Sequence, residues 1–481
     1  MLRRTKIIAT LGPSTDDPKV LSKLIEAGID VARLNFSHGD TDVHRQRAEA
    51  VRRHAREHNR HVGVLVDLQG PKIRIGKLQD NVVSLQEGDS FVLNTEMPLD
   101  AGTQERVGVT YKSLGEDVAR GDTLLLDDGR IALWVDQVQG PDIICRVVSG
   151  GGLKSSKGIN RQGGGLSANA LTDKDRNDIQ TAVEIEADYL AISFPRSAAD
   201  IKEARELYSA AGGRGGIVAK IERAEAVDAI DEIIDASDAV MLARGDLGVE
   251  IGDAVLPPIQ KRIIRETRKR NKVVITATQM MESMIDSTIP TRAEVSDVAN
   301  AVLDGTDAVM LSAETAAGRY PVAAVSAMDR VCRVAEEEQE SQLFRERRNL
   351  KFERIDQAIA MAVMYSANHL SVRAIAALTE SGATALWMSR VSTLVPIYAM
   401  TRYEATRRKV TLYRGVYPAP FDYTSNDPAQ IMAQAVHELR GRGAVREGDL
   451  VVLTMGEPLH EPGGTNSMKI VRVSGTLEGS G

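Results

Sequence analysis

At 481 residues the chain is long enough for two to four domains, each with a buried core. Its 60 basic residues against 67 acidic ones give a net charge of −7, which speaks against a general nucleic-acid or anionic-membrane surface. Two cysteines, Cys145 and Cys332, form no CxxC pair and no disulfide framework, as expected for a reducing compartment.

The apolar run Ile7–Leu11 behind Arg3, Arg4 and Lys6 is shorter than the ~7–15 residues of a signal-peptide core. No run approaches the ~20 apolar residues of a membrane helix, so a cytoplasmic protein is expected. Strands are expected at Lys6–Thr10, Val31–Phe36 and Val62–Asp67, with an amphipathic helix at Lys19–Glu26.

From Pro71 to Ala170 the pattern changes to short alternating segments: Val82–Leu85, Ser90–Leu93, Thr123–Leu126, Ile131–Val135 and Ile143–Val147. Asp-Asp-Gly and Gly-Pro turns break them, which reads as a small β domain inserted after the third strand. Gly70-Pro71 and Gly163-Gly164-Gly165 stand where hinges are needed.

Strands resume at Asp188–Ser193, Gly216–Ile221, Ala239–Ala243, Lys272–Thr276 and Ala308–Ser312, with helical stretches such as Asp200–Ala210 and Ala293–Leu303 between them. Eight strands, each followed by a helix, is the count of a (β/α)8 TIM barrel. Asp-Ala-Val-Met-Leu occurs at 238–242 and again at 307–311, which a shared strand environment explains as well as ancestry does.

After a charged helix ending near Arg348, helix Ile355–His369, strand Val372–Leu378, a helix, and strands Ile397–Met400 and Leu450–Thr454 suggest an open α/β sheet. The expected division is 1–70 with 171–345 for the barrel, 71–170 for a β-barrel lid and 346–481 for a C-terminal regulatory domain.

In such a barrel the working residues stand at the C-terminal ends of strands. Those ends carry Asn35 and Ser37, Asp67, Ser193, Lys220 and Glu222, Asp246, Thr278, and Glu314. A lone strand-end Asp is more often a helix cap, but here seven ends agree. Ala219-Lys220-Ile221-Glu222 and Ala243-Arg244-Gly245-Asp246-Leu247-Gly248 place two carboxylates on neighbouring ends, where they can hold one magnesium ion.

The alternative there is a lysine–carboxylate pair serving structure alone. Gly245 would let the loop of Asp246 turn backbone N–H groups toward a substrate carboxylate, where a side chain would obstruct. No GxxxxGK[ST], HExxH, GxSxG or Cys2His2 pattern occurs, and the run Gly212–Gly216 precedes a strand, unlike a dinucleotide fingerprint. The basic clusters Arg262–Lys272 and Arg345–Lys351 are spaced like solvated helix faces or a linker.

Arg33–Gly39 (RLNFSHG), Asp67–Arg74 (DLQGPKIR), Lys220-Ile221-Glu222, Ala243–Glu250 (ARGDLGVE), Ile275–Met284 (ITATQMMESM) and Pro290–Glu294 (PTRAE) resemble the signatures of pyruvate kinases, over essentially the whole chain. The resemblance implies a glycolytic, magnesium- (or manganese-) dependent phosphotransferase moving the phosphoryl group of phosphoenolpyruvate onto ADP. It implies catalytic Lys220, Arg33 and Thr278, with phosphoenolpyruvate met by Arg33, Lys220, Gly245, Asp246 and Thr278. Glu222 and Asp246 would hold the metal, while Asn35, Ser37, His38, Arg74 and Lys174 would stand near the nucleotide. It further implies a homotetramer, and a lid that keeps water from the phosphoryl group.

Two departures matter. Many relatives hold potassium at positions matching Asn35, Ser37, Asp67 and Leu68, with a glutamate where this chain has Lys72. The Lys72 ammonium can take the ion's place, so potassium is not required. An effector phosphate would sit on Thr379, Ser381, Gly382 and Thr384, under a loop Glu461–Met468. Glu380 would repel a second phosphate there, which favours a sugar monophosphate or AMP; an ordinary capped helix start uses the same residue types.

Two rivals are weaker. An aldolase or phosphoenolpyruvate mutase would share the two carboxylates but not the insertion, Arg33–Gly39 or the last domain. A catalytically silent sensor sits poorly with intact Lys220, Glu222, Asp246 and Thr278.

Overall fold

The computed structural model describes residues 2–338, 352, 354–391, 393–423, 425–458 and 464–474. Strands Lys6–Leu11, Val31–Asn35, Gly63–Asp67, Tyr189–Ile192, Gly216–Ile221, Ala239–Ala243, Val273–Ala277 and Ala308–Leu311 form a closed parallel barrel in chain order. The first and last strands pair in register, Lys6 opposite Ala308. Their apolar residues are buried throughout, because helices cover the outside and side chains fill the inside.

Asp188 and Lys272, expected inside strands, lie just ahead of them. The reason for Asp188 recurs around the barrel. Asp30, Asp188, Asp238 and Asp307 each precede an even-numbered strand and accept the backbone N–H of Ile7, Val64, Ile217 and Val274 respectively. Each carboxylate also meets an arginine: Arg3, Arg408, Arg205 and Arg390. The Asp-Ala-Val-Met-Leu repeat is therefore two instances of a fourfold strand-start environment.

Helix starts follow capping chemistry. Asp17 accepts from Lys19 N–H ahead of Pro18–Ala27, and Gly28 ends that helix at φ 112°. Thr291 and Glu294 form a capping box opening Arg292–Leu303, and Glu294 also takes the N–H and hydroxyl of Ser283. The Pro290–Glu294 signature thus anchors the loop after the seventh strand.

The insertion is a six-stranded sheet in the order Ile159–Arg161, Thr123–Leu126, Ile131–Gln139, Asp142–Ser149, Ser90–Asn94, Arg106–Gly108, with a separate ribbon of Val82–Leu85 and Gly151–Lys154. The sheet curls so that residues 74 and 75 link its edges, Arg74 bridging to Gly158 and Ile75 to Val109. Arg106–Gly108, Gly151–Lys154 and Ile159–Arg161 were not expected from the sequence: two of them have only three residues, and the third opens on two glycines. At the hinge, Gly70 has φ 65°, and a Cβ there would come within 2.8 Å of Ser193 Cβ, so only glycine fits.

The last domain is a five-stranded sheet in the order Val416–Pro420, Ile397–Thr401, Val372–Leu378, Leu450–Gly456, Thr465–Arg472, the final strand antiparallel. The two strands missed in the sequence are its edges, one carrying two prolines and the other largely polar. This sheet packs on the bottom of the barrel: Ile375, Met388 and Val452 share one core with Ile8, Leu65 and Met310.

Lys6 Nζ donates to the Val416 carbonyl at 2.6 Å, and Tyr189 Oη to that of Lys409 at 2.7 Å. The charged helix is described as Pro321–Glu338; its expected end near Arg348, the cluster Arg345–Lys351 and the boundary at 345/346 lie outside the described residues. Among the described residues no helix is long and apolar enough to cross a membrane.

Candidate active site

The C-terminal end of the barrel gathers the charged side chains expected there. Asp67, buried at the end of the third strand, holds two cations. Arg33 Nε donates to its Oδ2 at 2.7 Å, and Lys220 Nζ stands 3.2 Å from its Oδ1. Lys220 also reaches Glu222 Oε1 at 2.8 Å and donates to Ser193 Oγ at 2.8 Å. Ser193 passes its own proton to the Leu68 carbonyl at 2.7 Å, and Arg33 additionally binds Thr10 Oγ1 at 2.9 Å. Two long basic side chains are thereby held in one conformation before any ligand arrives, the preorganisation that charge stabilisation requires.

The electrostatics divide the acids into two kinds. Burial opposes ionisation of Asp67, but Lys220 and Arg33 outweigh it and bring its pKa below the usual carboxylate range. Burial likewise opposes the Lys220 charge, yet Asp67 and Glu222 raise its pKa, so it stays an ammonium. Glu222 is pushed up to about 7 by burial, with Lys220 pulling down and Asp246 pushing up. Asp246 is raised by burial and by Asp128, Glu250 and Asp67, against the pull of Lys220. Its carboxylate makes no hydrogen bond or ion pair among the described residues. An unpartnered carboxylate beside a second one, both raised by burial, is a donor set that a divalent cation fits.

Gly245 and Asp246 do not lie in a loop, as expected, but in the first turn of helix Arg244–Ile251. Gly245 N–H goes to Thr278 Oγ1 at 2.8 Å, and that hydroxyl donates to the Ala277 carbonyl at 2.6 Å. A Cβ on Gly245 would meet Thr278 at an ordinary 3.7 Å, so no neighbouring side chain demands the glycine. Thr278 and Gln279 have φ of 67° and 54°, an uncommon conformation for a β-branched residue, of the kind that concentrates at working sites.

The residues expected near the nucleotide include a second cationic group. Lys72 Nζ donates to the Ser37 carbonyl at 3.0 Å, and Lys174 Nζ to that of Phe36 at 2.9 Å. Ser37 N–H is held by Asn35 Oδ1 at 3.1 Å. His38 is lowered by burial and by Lys72, Arg74 and Arg33, which places those cations around it. Lys72 therefore rests on a backbone carbonyl; the carboxylate of Asp67 is engaged by Arg33 and Lys220. Glu314 is structural: its oxygens accept from Met281 N–H at 3.1 Å and Ser312 N–H at 2.6 Å.

Several contributors had no role assigned from the sequence. Arg244 bolts the sixth strand end to the seventh through the Ala277 and Thr278 carbonyls and reaches Asp297 at 2.7 Å. Glu250 joins lid to barrel: its Oε2 accepts from Ala224 N–H at 2.9 Å, and its carbonyl from Gly163 N–H at 2.9 Å. Glu250 lay inside the ARGDLGVE signature without a role assigned.

In the C-terminal domain, Thr379, Glu380, Ser381 and Thr384 line a small pocket with Arg402 and Thr465. Gly382 caps helix Ala383–Ser389 at φ 84°. Glu380 is not the lone charge expected, since Arg402 stands 3.8 Å from it. Of the segment Glu461–Met468, expected as a covering loop, residues 461–463 lie outside the described residues, and Thr465–Met468 opens the strand Thr465–Arg472 instead.

Comparison with known proteins shows the family of the chain. Residues 2–325 match the family model "Pyruvate kinase, barrel domain", and 357–471 match "Pyruvate kinase, alpha/beta domain". The chain is 54% identical to "Pyruvate kinase II" of Salmonella typhimurium over 476 residues, covering 98% of this chain and 99% of that one. It is 53% identical to a pyruvate kinase of Haemophilus influenzae over 459 residues, 95% and 96% of the two chains. It is 43% identical to one from Geobacillus stearothermophilus, spanning 99% of this chain and 81% of the relative. With both family models matched in order and the Salmonella and Haemophilus relatives covered over 96% or more of their length, the chain belongs to the pyruvate kinase family and is a phosphotransferase of that kind.

Proposed function

We propose that the chain transfers the phosphoryl group of phosphoenolpyruvate to ADP through the residues gathered at the barrel's C-terminal end, giving pyruvate and ATP as the last step of glycolysis. The observation that carries this reading is the Arg33–Asp67–Lys220 arrangement, two cations on one carboxylate. Phosphoryl transfer leaves the protein little covalent work, so cations at the equatorial oxygens and at the departing enolate dominate. Arg33 offers the planar fork, and Lys220 the point charge.

Gly245, Asp246 and Thr278 hold phosphoenolpyruvate, with the Thr278 hydroxyl beside the reacting group. Asn35, Ser37, His38, Arg74 and Lys174 take the nucleotide, and the lid excludes water. Glu222 and Asp246 hold magnesium or manganese, which when bound neutralises phosphoryl charge.

The finer readings stand on separate observations. Asn35, Ser37, Asp67, Leu68 and Lys72 make a monovalent-cation site in which the Lys72 ammonium, on the Ser37 carbonyl, replaces potassium. The pocket of Thr379, Ser381, Gly382 and Thr384 takes a sugar monophosphate or AMP as activator. It carries one guanidinium, Arg402, already facing Glu380, which suits one phosphate better than two. The domains divide near 70/71, 170/171 and 345/346, and the protein works as a cytoplasmic homotetramer.

A lactate-dehydrogenase-coupled assay with phosphoenolpyruvate, ADP and magnesium tests the core reading. Pyruvate should form only with all three present. No pyruvate from folded protein would contradict the assignment.

A further inference from the structure

Between the barrel's second helix, Thr41–Glu57, and the C-terminal domain's helix Glu404–Lys409 lies a cavity of about 210 Å3. Its wall holds five arginines, Arg52, Arg56, Arg60, Arg407 and Arg408, and one acid, Glu404. Arg408 is fully occupied by Asp188, Glu186 and Glu404. Arg60 binds the Ile25 carbonyl and stands 3.9 Å from Asp30.

Of the other three guanidiniums, Arg52 donates to the Glu186 carbonyl at 2.8 Å and stands 3.4 Å from the Glu186 carboxylate. Arg407 donates only to the backbone carbonyls of Thr401 and Arg402. Arg56 is exposed, and its guanidinium has no acceptor among the described residues. The Nε atoms of Arg52 and Arg407 are buried without any partner, a condition native proteins rarely leave unanswered. Burial and the neighbouring Arg408 lower the pKa of both side chains, with Glu404 and Arg442 pulling opposite ways on Arg407. His61, also on the wall, is pushed down to about 4 by burial and by Arg407 and Arg442, so it is neutral and adds no charge at pH 7.

Guanidinium forks match phosphate oxygens in geometry and charge. The volume lies below the ~300 Å3 typical of drug-sized pockets, leaving room for a phosphate and a small carbon skeleton but not a nucleotide. We propose that this cavity binds a small phosphate-bearing metabolite, whose phosphate engages Arg52, Arg56 and Arg407 and clamps the barrel to the C-terminal domain. The site is separate from the Thr379–Thr384 pocket, yet one helix joins them. Thr401 and Arg402 line that pocket, and their carbonyls receive the Arg407 side chain that lines this cavity.

The test is calorimetric titration of the full chain with inorganic phosphate and with ribose 5-phosphate. Ser381→Asp, which blocks the other pocket by charge, serves as the background. Saturable binding of ribose 5-phosphate, tighter than that of inorganic phosphate and weakened by salt, is expected in that variant. Adding Arg56→Gln and Arg407→Gln should weaken it at least tenfold, and Arg407→Lys should restore part of it, separating charge from folding. No saturable binding in Ser381→Asp, undiminished binding after the arginine substitutions, or binding of the ester no tighter than of free phosphate would each overturn the proposal.

Discussion

The two ends of the barrel use the same residue types to opposite effect. At the bottom, Asp307 accepts the Val274 N–H at 2.9 Å and binds Arg390 from the C-terminal domain, both side chains fully buried. Burial opposes its charge, but Arg390 prevails and its pKa falls below the ordinary value. At the top, Asp246 has no hydrogen-bond or ion-pair partner among the described residues, and its pKa rises through burial and neighbouring acids. The bottom ring is satisfied within the chain. At the top it is the Asp246 carboxylate that lacks such a partner among the described residues, and the proposed metal would supply one.

The largest expected effect is at the bottom. Asp307→Asn leaves Arg390 buried without its counter-charge and should cost about 3–5 kcal/mol of stability, read as a lowered Tm. The pH sign follows from the lowered folded pKa. Stability from Asp307 is fully present above the unfolded value of about 3.9 and is lost as pH falls through the folded pKa. The variant should therefore have a flatter acid limb than the parent. A melting profile unchanged at both neutral and acid pH would refute the assignment.

Lys220→Met is the counterpart at the top. Its removal should lower kcat by ~10²–10³ with the circular dichroism spectrum retained. Near-normal turnover would mean that Lys220 is not the charge stabiliser. Glu222→Gln comes next. It should raise the magnesium concentration for half-maximal rate by about tenfold or more, and an unaltered magnesium curve would remove Glu222 from the metal site.

How much was legible in the sequence follows the same division. The eight barrel strands stood out because each is buried on both faces and reads as an unbroken apolar run. Lys220, Glu222 and Asp246 stood out because strand ends are where such residues are informative. Arg244, Glu250 and the Arg402–Glu380 contact did not, since each acts through a partner far along the chain, and no local pattern marks distance in space. Edge strands Val416–Pro420 and Thr465–Arg472 were missed because edges lack the two-faced burial that makes a strand visible.

The smallest expected effect concerns Lys72, a half-buried cation on the Ser37 carbonyl. Turnover in sodium-only or Tris buffer should be close to that in potassium. Lys72→Glu should create a potassium requirement, and strong potassium activation of the unsubstituted protein would count against the replacement.

The most direct test of the contrast measures Tm and turnover on the same preparations of Asp307→Asn and Asp246→Asn. Asp307→Asn should melt lower while keeping its turnover per folded molecule. Asp246→Asn should keep its Tm, or gain slightly, while losing turnover at limiting magnesium. If Asp246→Asn instead destabilises the protein as strongly as Asp307→Asn does and keeps its activity, the top carboxylates are structural and the account fails.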